Sequence, residues 1–349
     1  MKGIEEVADI LVVEGSITEG QTVITLSRSI RLHDNFAPVF VNDAVVFVER
    51  EDGLRFYGEL QPIWGWLGGG RYVIETGTLD VNQWYRLRIK IDEHEYVSDS
   101  THPIQTPEID SIFWRKEGRG EPVVIYVSTH DPNNQIFHYQ WSFTENWEIN
   151  SWREPDTAFP LPTRCWNSER SANFVLGSGI RTGGRVIQPI TEIVPTNQKL
   201  SVLYRITVRQ NAISRRAFEY FENIQKNTDL SGSIFAPTPS ELRGNIVNTT
   251  DPQRPVVGFI DVSTTTQKSF FISRREGVYE PLPLNCRVYT ADTLESWFGN
   301  NWQEMTIPNT FVPLPFDPDL EIEQMFTYRR CVDCRFLGGT TRRPENWPN

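Results

Sequence analysis

The chain has no run of eighteen apolar residues, so nothing in it reads as a helix crossing a bilayer. Basic residues are outnumbered: 34 Lys and Arg stand against 45 Asp and Glu, a formal net charge of −11. General nucleic-acid binding is therefore disfavoured, because it needs a basic face to displace counterions. Such a charge suits a soluble or surface protein facing neutral or cationic partners, although solubility alone accounts for it. Only 3 Met and 4 Cys are present. The histidines, His33, His94, His102, His130 and His138, include no HExxH pair, and no Gly-x-Ser-x-Gly elbow accompanies them. Glycine clusters at 68–70, 177–179 and 183–184 lack the lysine and Ser/Thr of a phosphate loop and read as turns. The opening "MKGIEEVADILVVEG" has no apolar core of a secretory signal. Either the protein is cytosolic, or these residues follow a removed leader.

What is present is β-forming. A length of 349 residues allows two domains with separate cores, and the aromatic content is high, with 11 Trp, 11 Tyr and 20 Phe. "ILVVEGSI", "QTVITLSRS", "DAVVFVER", "LRFYGEL", "RYVIETG", "WYRLRIKID" and "EYVSDS" follow one another at roughly ten-residue spacing, with an Asp-Gly hairpin turn at Asp52-Gly53. Seven strands and no helix predict an antiparallel sandwich of immunoglobulin-like or transthyretin-like kind over residues 1–104. "STHPIQTPEIDS", with Pro103 and Pro107, reads as a linker into a second β-rich domain, 105–349. There "PVVIYVST", "IFHYQWSF" and "KLSVLYRITVRQ" are strands, the last with Leu200, Val202, Tyr204, Ile206 and Val208 on one face.

One segment breaks the pattern. In "ISRRAFEYFENIQKNTD", Ser214 can cap a helix of about 214–227 whose stripe of Ala217, Phe218, Phe221 and Ile224 packs into a core. Pro237 and Pro239 make the next stretch irregular, "PVVGFIDVSTTTQKSFFISR" reads as a hairpin, and the proline-rich region 281–320 reads as an extended wrap.

The ordered series "LVVEGSITEG", "VITLSRS", "VNDAVVFVER", "YRLRIKIDEHEYVS", "RQNAISRRAFEYFENIQKNT", "FAPTPSELRGNI", "VVGFIDVSTTTQKSFFISR" and "CVDCRFLGGTTRRPENW" resembles domain-of-unknown-function family 4249. That resemblance implies a Bacteroidota outer-membrane lipoprotein encoded beside a TonB-dependent receptor, exported and lipid-anchored through a cysteine upstream of "KGIEEV". The family supplies no catalytic residue to carry over.

Export makes disulfides the default for Cys165, Cys286, Cys331 and Cys334, with three connectivities open. A zinc ribbon would want a second Cys-x-x-Cys pair beside Cys331 and Cys334, and a thioredoxin-like site would want that motif to open a helix. No metal, cofactor or catalytic residue is expected. His130 beside Asp131 could be built into a triad, but adjacent His and Asp on a loop more often form a turn. Carboxylate clusters such as Asp317, Asp319, Glu321 and Glu323 read as solvated surface rather than a calcium loop. Trp64 and Trp66 on a glycine-flanked tip, with Trp147 and Trp152, are the candidate binding residues, packing being the competing explanation. The expectation is a non-enzymatic cell-surface lipoprotein that assists a TonB-dependent β-barrel. A surface adhesin or assembly subunit is the alternative, and a hydrolase a more distant one.

Overall fold

The computed structural model describes residues 9–29, 39–61, 69–158, 160–229, 244–281, 286–301, 310–315 and 325–348. The first body holds β1 (Leu11–Thr18), β2 (Gly20–Arg28), β3 (Val39–Phe40), β4 (Val45–Arg50), β5 (Arg55–Leu60), β6 (Arg71–Gly77), β7 (Tyr85–Ile91) and β8 (His94–Ser98). Strict alternation decides which face turns inward: Tyr85, Leu87, Ile89 and Ile91 of β7 are buried while Arg86, Arg88 and Lys90 point outward. The Asp52-Gly53 turn forms as expected, with the Gly53 amide donating to the Arg50 carbonyl at 2.9 Å and the Leu54 amide to Asp52 Oδ1 at 3.0 Å. Strand β5 changes partner along its length, pairing with β4 at Arg55–Tyr57 and with β6 at Gly58–Leu60. It thus carries the ladder around a corner, and two layers close over one core that includes Ile24, Leu26, Val48, Ile74, Ile89 and Tyr96.

The linker is tied down rather than free. Ile104 pairs with Ser263, and the Thr106 hydroxyl donates to the Thr264 carbonyl at 2.5 Å while accepting from the Ala212 amide at 2.9 Å. Beyond it come β9 (Ile109–Arg115), β10 (Val123–Thr129), β11 (His138–Asn150), β12 (Arg164–Arg170), β13 (Val175–Ser178), β14 (Val186–Ile193) and β15 (Leu203–Ala212). The sheet β14-β10-β9 faces the sheet containing β12, β11 and β15 across a second core that includes Val123, Ile125, Trp141, Ile206 and Val208. Trp141 and Gln210 satisfy one another inside it: Trp141 Nε1 donates to Gln210 Oε1 at 2.7 Å, and Gln210 Nε2 to the Pro107 carbonyl at 2.8 Å.

Helix α1 spans Arg215–Asp229. Ser214 caps it as expected, its Oγ accepting from the Ala217 amide at 3.1 Å, and Ala217, Phe218, Phe221 and Ile224 pack with Tyr220 and Phe259 in a small core of their own. The chain then returns to the first body. β16 (Ile246–Asn248) adds antiparallel to β8, while β17 (Val256–Gly258) and β18 (Val262–Ser263) run parallel to β1. Eight strands of the first sheet come from the span expected for it and three from residues 246–263, which cover both of its edges. Gly258 is required at this junction: its φ is +156°, and a Cβ would stand 2.5 Å from the Val13 carbonyl oxygen.

The chain crosses once more as β19 (Thr265–Ser273), which extends the second body beside β15. Residues 281–320, expected as an extended wrap, contain a helix, α2 (Ala291–Phe298), whose cap Thr290 accepts from the Thr293 amide at 3.3 Å. α2 packs Leu294 on a short sheet of β20 (Tyr289–Thr290), β21 (Phe311–Pro313) and β22 (Met325–Tyr328).

Candidate functional site

The four cysteines form two disulfides, Cys165–Cys334 and Cys286–Cys331, so each cysteine of the Cys-x-x-Cys pair reaches a distant partner. The tail is held by more than sulfur. Asp333 is fully buried and takes Arg335 Nε at 2.9 Å and Nη2 at 2.8 Å, and those bonds hold its carboxyl below the ordinary range against burial, which by itself would raise it. Trp347 is buried, and its Nε1 donates to Glu148 Oε2 at 3.1 Å, where Arg164 also binds Glu148 with two hydrogen bonds. Gly339 lies so close to Cys165 that a Cβ there would come within 2.5 Å of the cysteine Cβ. The tail is a staple. Among the described residues no three His, Cys, Asp or Glu side chains gather as a metal shell.

The histidine expectations resolve individually. Asp131 is a loop organiser, accepting from the amides of Asn133, Gln135 and Ile136 at 2.8–3.1 Å. His130 turns from it to Asp110, with Nδ1 2.8 Å from the carboxylate, on the wall of an open cleft of about 860 Å³ between the two bodies at the linker. No hydroxyl or thiol nucleophile is hydrogen-bonded to His130 among the described residues, so this is half of a triad. His138 is buried beneath α1, stacked on Phe218 with ring centroids 4.5 Å apart. Burial, then the nearby Arg215 charge, pushes its pKa down.

The tryptophans divide as well. Trp147 is not available to a ligand: it is 8% exposed in the second core, with Lys199 Nζ 4.9 Å from its ring centroid. Its neighbours on β11 explain why: Glu145 takes both the Tyr204 hydroxyl and Lys199 at 2.7 Å, so this end of the strand is buried and cross-linked. Trp152 is 37% exposed beside the tail, its amide donating to the Cys331 carbonyl at 2.9 Å. Trp64, Trp66, His33 and the carboxylates at 317–323 lie outside the described residues.

A further recess lies where the two bodies and α1 meet. Its volume is about 560 Å³, within the usual range of small-molecule sites. The apolar wall is Val12 of β1, Val257, Phe259, Phe174 and the Tyr220 and Phe221 rings of α1, with Phe174 and Phe221 in an edge contact at 5.1 Å. The polar wall is the outward row of β11 and β15: Gln140, Ser142, Arg209 and Asn211. Asn211 is fixed by donating to Ser263 and Thr265 at 3.1 and 2.9 Å. Arg209 Nη2 donates to the hydroxyls of Thr18 at 3.1 Å and Thr265 at 3.3 Å. Burial pushes its pKa down.

The sequence comparison is decisive for kinship. A family model described as "Domain of unknown function (DUF4249)" matches residues 2–269. The chain belongs to the DUF4249 family. No curated protein matches it. Among solved structures, a DUF4785 family protein from Legionella pneumophila is similar at 12% identity, covering 57% of this chain and 52% of that one, with a TM-score of 0.19. This chain thus spans about half of that protein's length.

The seam recess of this DUF4249 chain was not singled out from the sequence. Arg209 sits in an ordinary alternation with Arg205 and Thr207, and nothing local distinguishes a guanidinium facing a recess from one facing water. The one available signal was the aromatic excess of α1, where Phe218, Tyr220 and Phe221 supply more ring surface than one packed face needs.

Proposed function

We propose that this chain is an exported, lipid-anchored protein of the outer-membrane surface that works as a non-enzymatic binding partner of a TonB-dependent β-barrel. The observation that carries the compartment is the pair of disulfides, since such bonds persist in oxidising surroundings and are rare where thiols are kept reduced. Membership of the DUF4249 family supports the lipid anchor and the barrel as partner, through the gene neighbourhood that the family resemblance implies. A binding role fits the seam recess, which pairs ring surface with a fixed polar wall. It also fits the rings left facing solvent on the C-terminal portion, where Trp297 is 54% and Phe298 42% exposed on α2. Exposed aromatic side chains of this kind are frequent anchors in protein contacts.

Fractionation and surface labelling of the native cell test the reading. The protein is expected in the outer-membrane fraction, labelled on intact cells by a membrane-impermeant reagent, with all four cysteines oxidised. Recovery from the cytosol with free thiols overturns it.

A further inference from the structure

Arg209 borders the recess with no carboxylate beside it among the described residues, a state it shares with Arg205, which instead donates to the Asn146 side chain and the Glu345 carbonyl. Arg50, Arg55, Arg86, Arg88 and Arg164 each have an Asp or Glu oxygen within 3.3 Å. Arg209, half-buried in the seam, has no carboxylate partner among the described residues, and its two hydrogen bonds both leave from Nη2 toward neutral hydroxyls. Its Nε and Nη1 groups have no protein acceptor there, yet they are not sealed from solvent. Glu14 also borders the recess, but it is exposed and forms no ion pair with Arg209. Either bidentate edge of a guanidinium includes Nη2, which here already serves two hydroxyls, so the half-buried Arg209 is matched by an anionic oxygen that accepts a single charge-assisted hydrogen bond from Nε or Nη1. Beside these donors stands the ring wall of Phe174, Tyr220, Phe221 and Phe259. The Tyr220 hydroxyl, pushed up to about 12 by burial, is sealed from solvent and set against the Gly258 backbone.

We infer that the recess between the two bodies and α1 binds an organic carboxylate carrying an aryl or alkyl body, with Arg209 receiving the carboxylate and the α1 rings covering the apolar part. The inference uses the binding role given to the recess and is independent of the barrel partnership. Two sources present this chemistry: a free aryl or fatty acid, and a peptide ending in an aromatic residue with a free C-terminus.

Calorimetric titration of the full chain distinguishes them in two arms, 6-phenylhexanoate against 6-phenylhexan-1-ol, and Gly-Gly-Phe against its C-terminal amide. In at least one arm the acid is expected to bind saturably and about tenfold or more tighter than its neutral analogue. The arm that shows this preference names the source. Arg209→Gln is expected to abolish the preference and Arg209→Lys to restore part of it, a point charge without the guanidinium's fixed N–H directions. Phe174→Ala is expected to weaken acid and analogue alike, because it removes wall without touching charge. Should Arg209→Gln lose its circular-dichroism spectrum, the acid-to-analogue ratio of the unaltered chain decides between the outcomes. The inference is overturned if acids and neutral analogues bind equally in both arms, if neither acid saturates at millimolar concentration, or if folded Arg209→Gln keeps the preference. Equal binding would leave the recess a site that does not read charge, whereas loss of all binding would also remove it from the functional account.

Discussion

Replacing Cys165 and Cys334 together by alanine tests the staple quantitatively. The two residues are separated by 169 positions, and Cys286 and Cys331 by 45. If each bridge acts by restricting the unfolded chain, loop-closure entropy gives about 5 kcal/mol for the longer loop and about 4 kcal/mol for the shorter. The figures are ceilings for two reasons. With Cys286–Cys331 closed, the longer loop is already shortened, though its logarithmic dependence on length makes this a minor loss. Residual structure in the denatured chain lowers both values. A drop of about 2–4 kcal/mol on losing Cys165–Cys334 is therefore expected. Guanidinium unfolding followed by tryptophan fluorescence and by circular dichroism measures it, and also shows whether the bodies unfold together. Trp347, held in the folded chain by Glu148, makes limited proteolysis after residue 329 a second readout. The double variant should be cut there at a denaturant concentration that leaves the parent intact. A midpoint unchanged to within about 0.5 kcal/mol would refute the reasoning, because the tail would then be held by its hydrogen bonds and packing alone.

Other perturbations have defined outcomes. Glu49 is 7% exposed and faces Arg55, Arg86 and Arg88; burial opposes its ionisation, but hydrogen bonds from Arg88 and Arg86 outweigh it and hold its carboxyl below the ordinary value. Glu49→Gln should cost about 2–3 kcal/mol at pH 7, less than for a sealed pair because the arginines are partly solvated, and the gap to the parent should close as pH falls through the lowered carboxyl value. For His138, burial lowers the folded pKa, so the unfolded chain binds the proton more readily: stability is complete above the ordinary histidine value and declines as pH falls below it. His138→Phe, which also removes a buried Nδ1 without a partner, should flatten that decline between pH 7 and 5 in thermal unfolding, and an unchanged slope would count against the assignment. Asp261 is the opposite case, since burial raises its pKa although it accepts from the Ser214 amide at 2.6 Å at the start of α1. The charged form is disfavoured in the folded chain, so stability falls as pH rises above the ordinary carboxyl value. Asp261→Asn, whose amide oxygen can still accept from Ser214, should match or exceed the parent at pH 7 and lose that advantage at pH 4.

The fold was legible wherever the signal was local. Short β-forming runs located seven of the eight strands up to Ser98, all but the two-residue β3, Asp52-Gly53 marked its hairpin, and Ser214 with the Ala217–Ile224 stripe located α1. Long-range pairing was not legible. Nothing in "NIVNTTDPQRPVVGFIDVS" says that its short strands close both edges of a sheet begun more than two hundred residues earlier, because an edge strand carries its information in backbone groups rather than side chains. α2 was missed because surrounding prolines suggested an extended segment, although Thr290 as cap and Leu294 with Trp297 and Phe298 at helical spacing were there to be read. For the cysteines, an even count and the expected oxidising compartment indicated disulfides, while connectivity depended on which strands meet in space. The seam recess is the extreme case: its walls come from β1, β11, β15, β17 and α1, so no stretch of sequence contains it.

The central claim is that the chain works by holding a partner at the outer surface, and affinity purification of the full-length protein from its own outer membrane tests it most directly. Mass spectrometry of the detergent-solubilised complex should find a TonB-dependent β-barrel in about equimolar amount, retained through size exclusion. Recovery of the protein alone, with no barrel after mild solubilisation or after cross-linking on intact cells, would contradict the account.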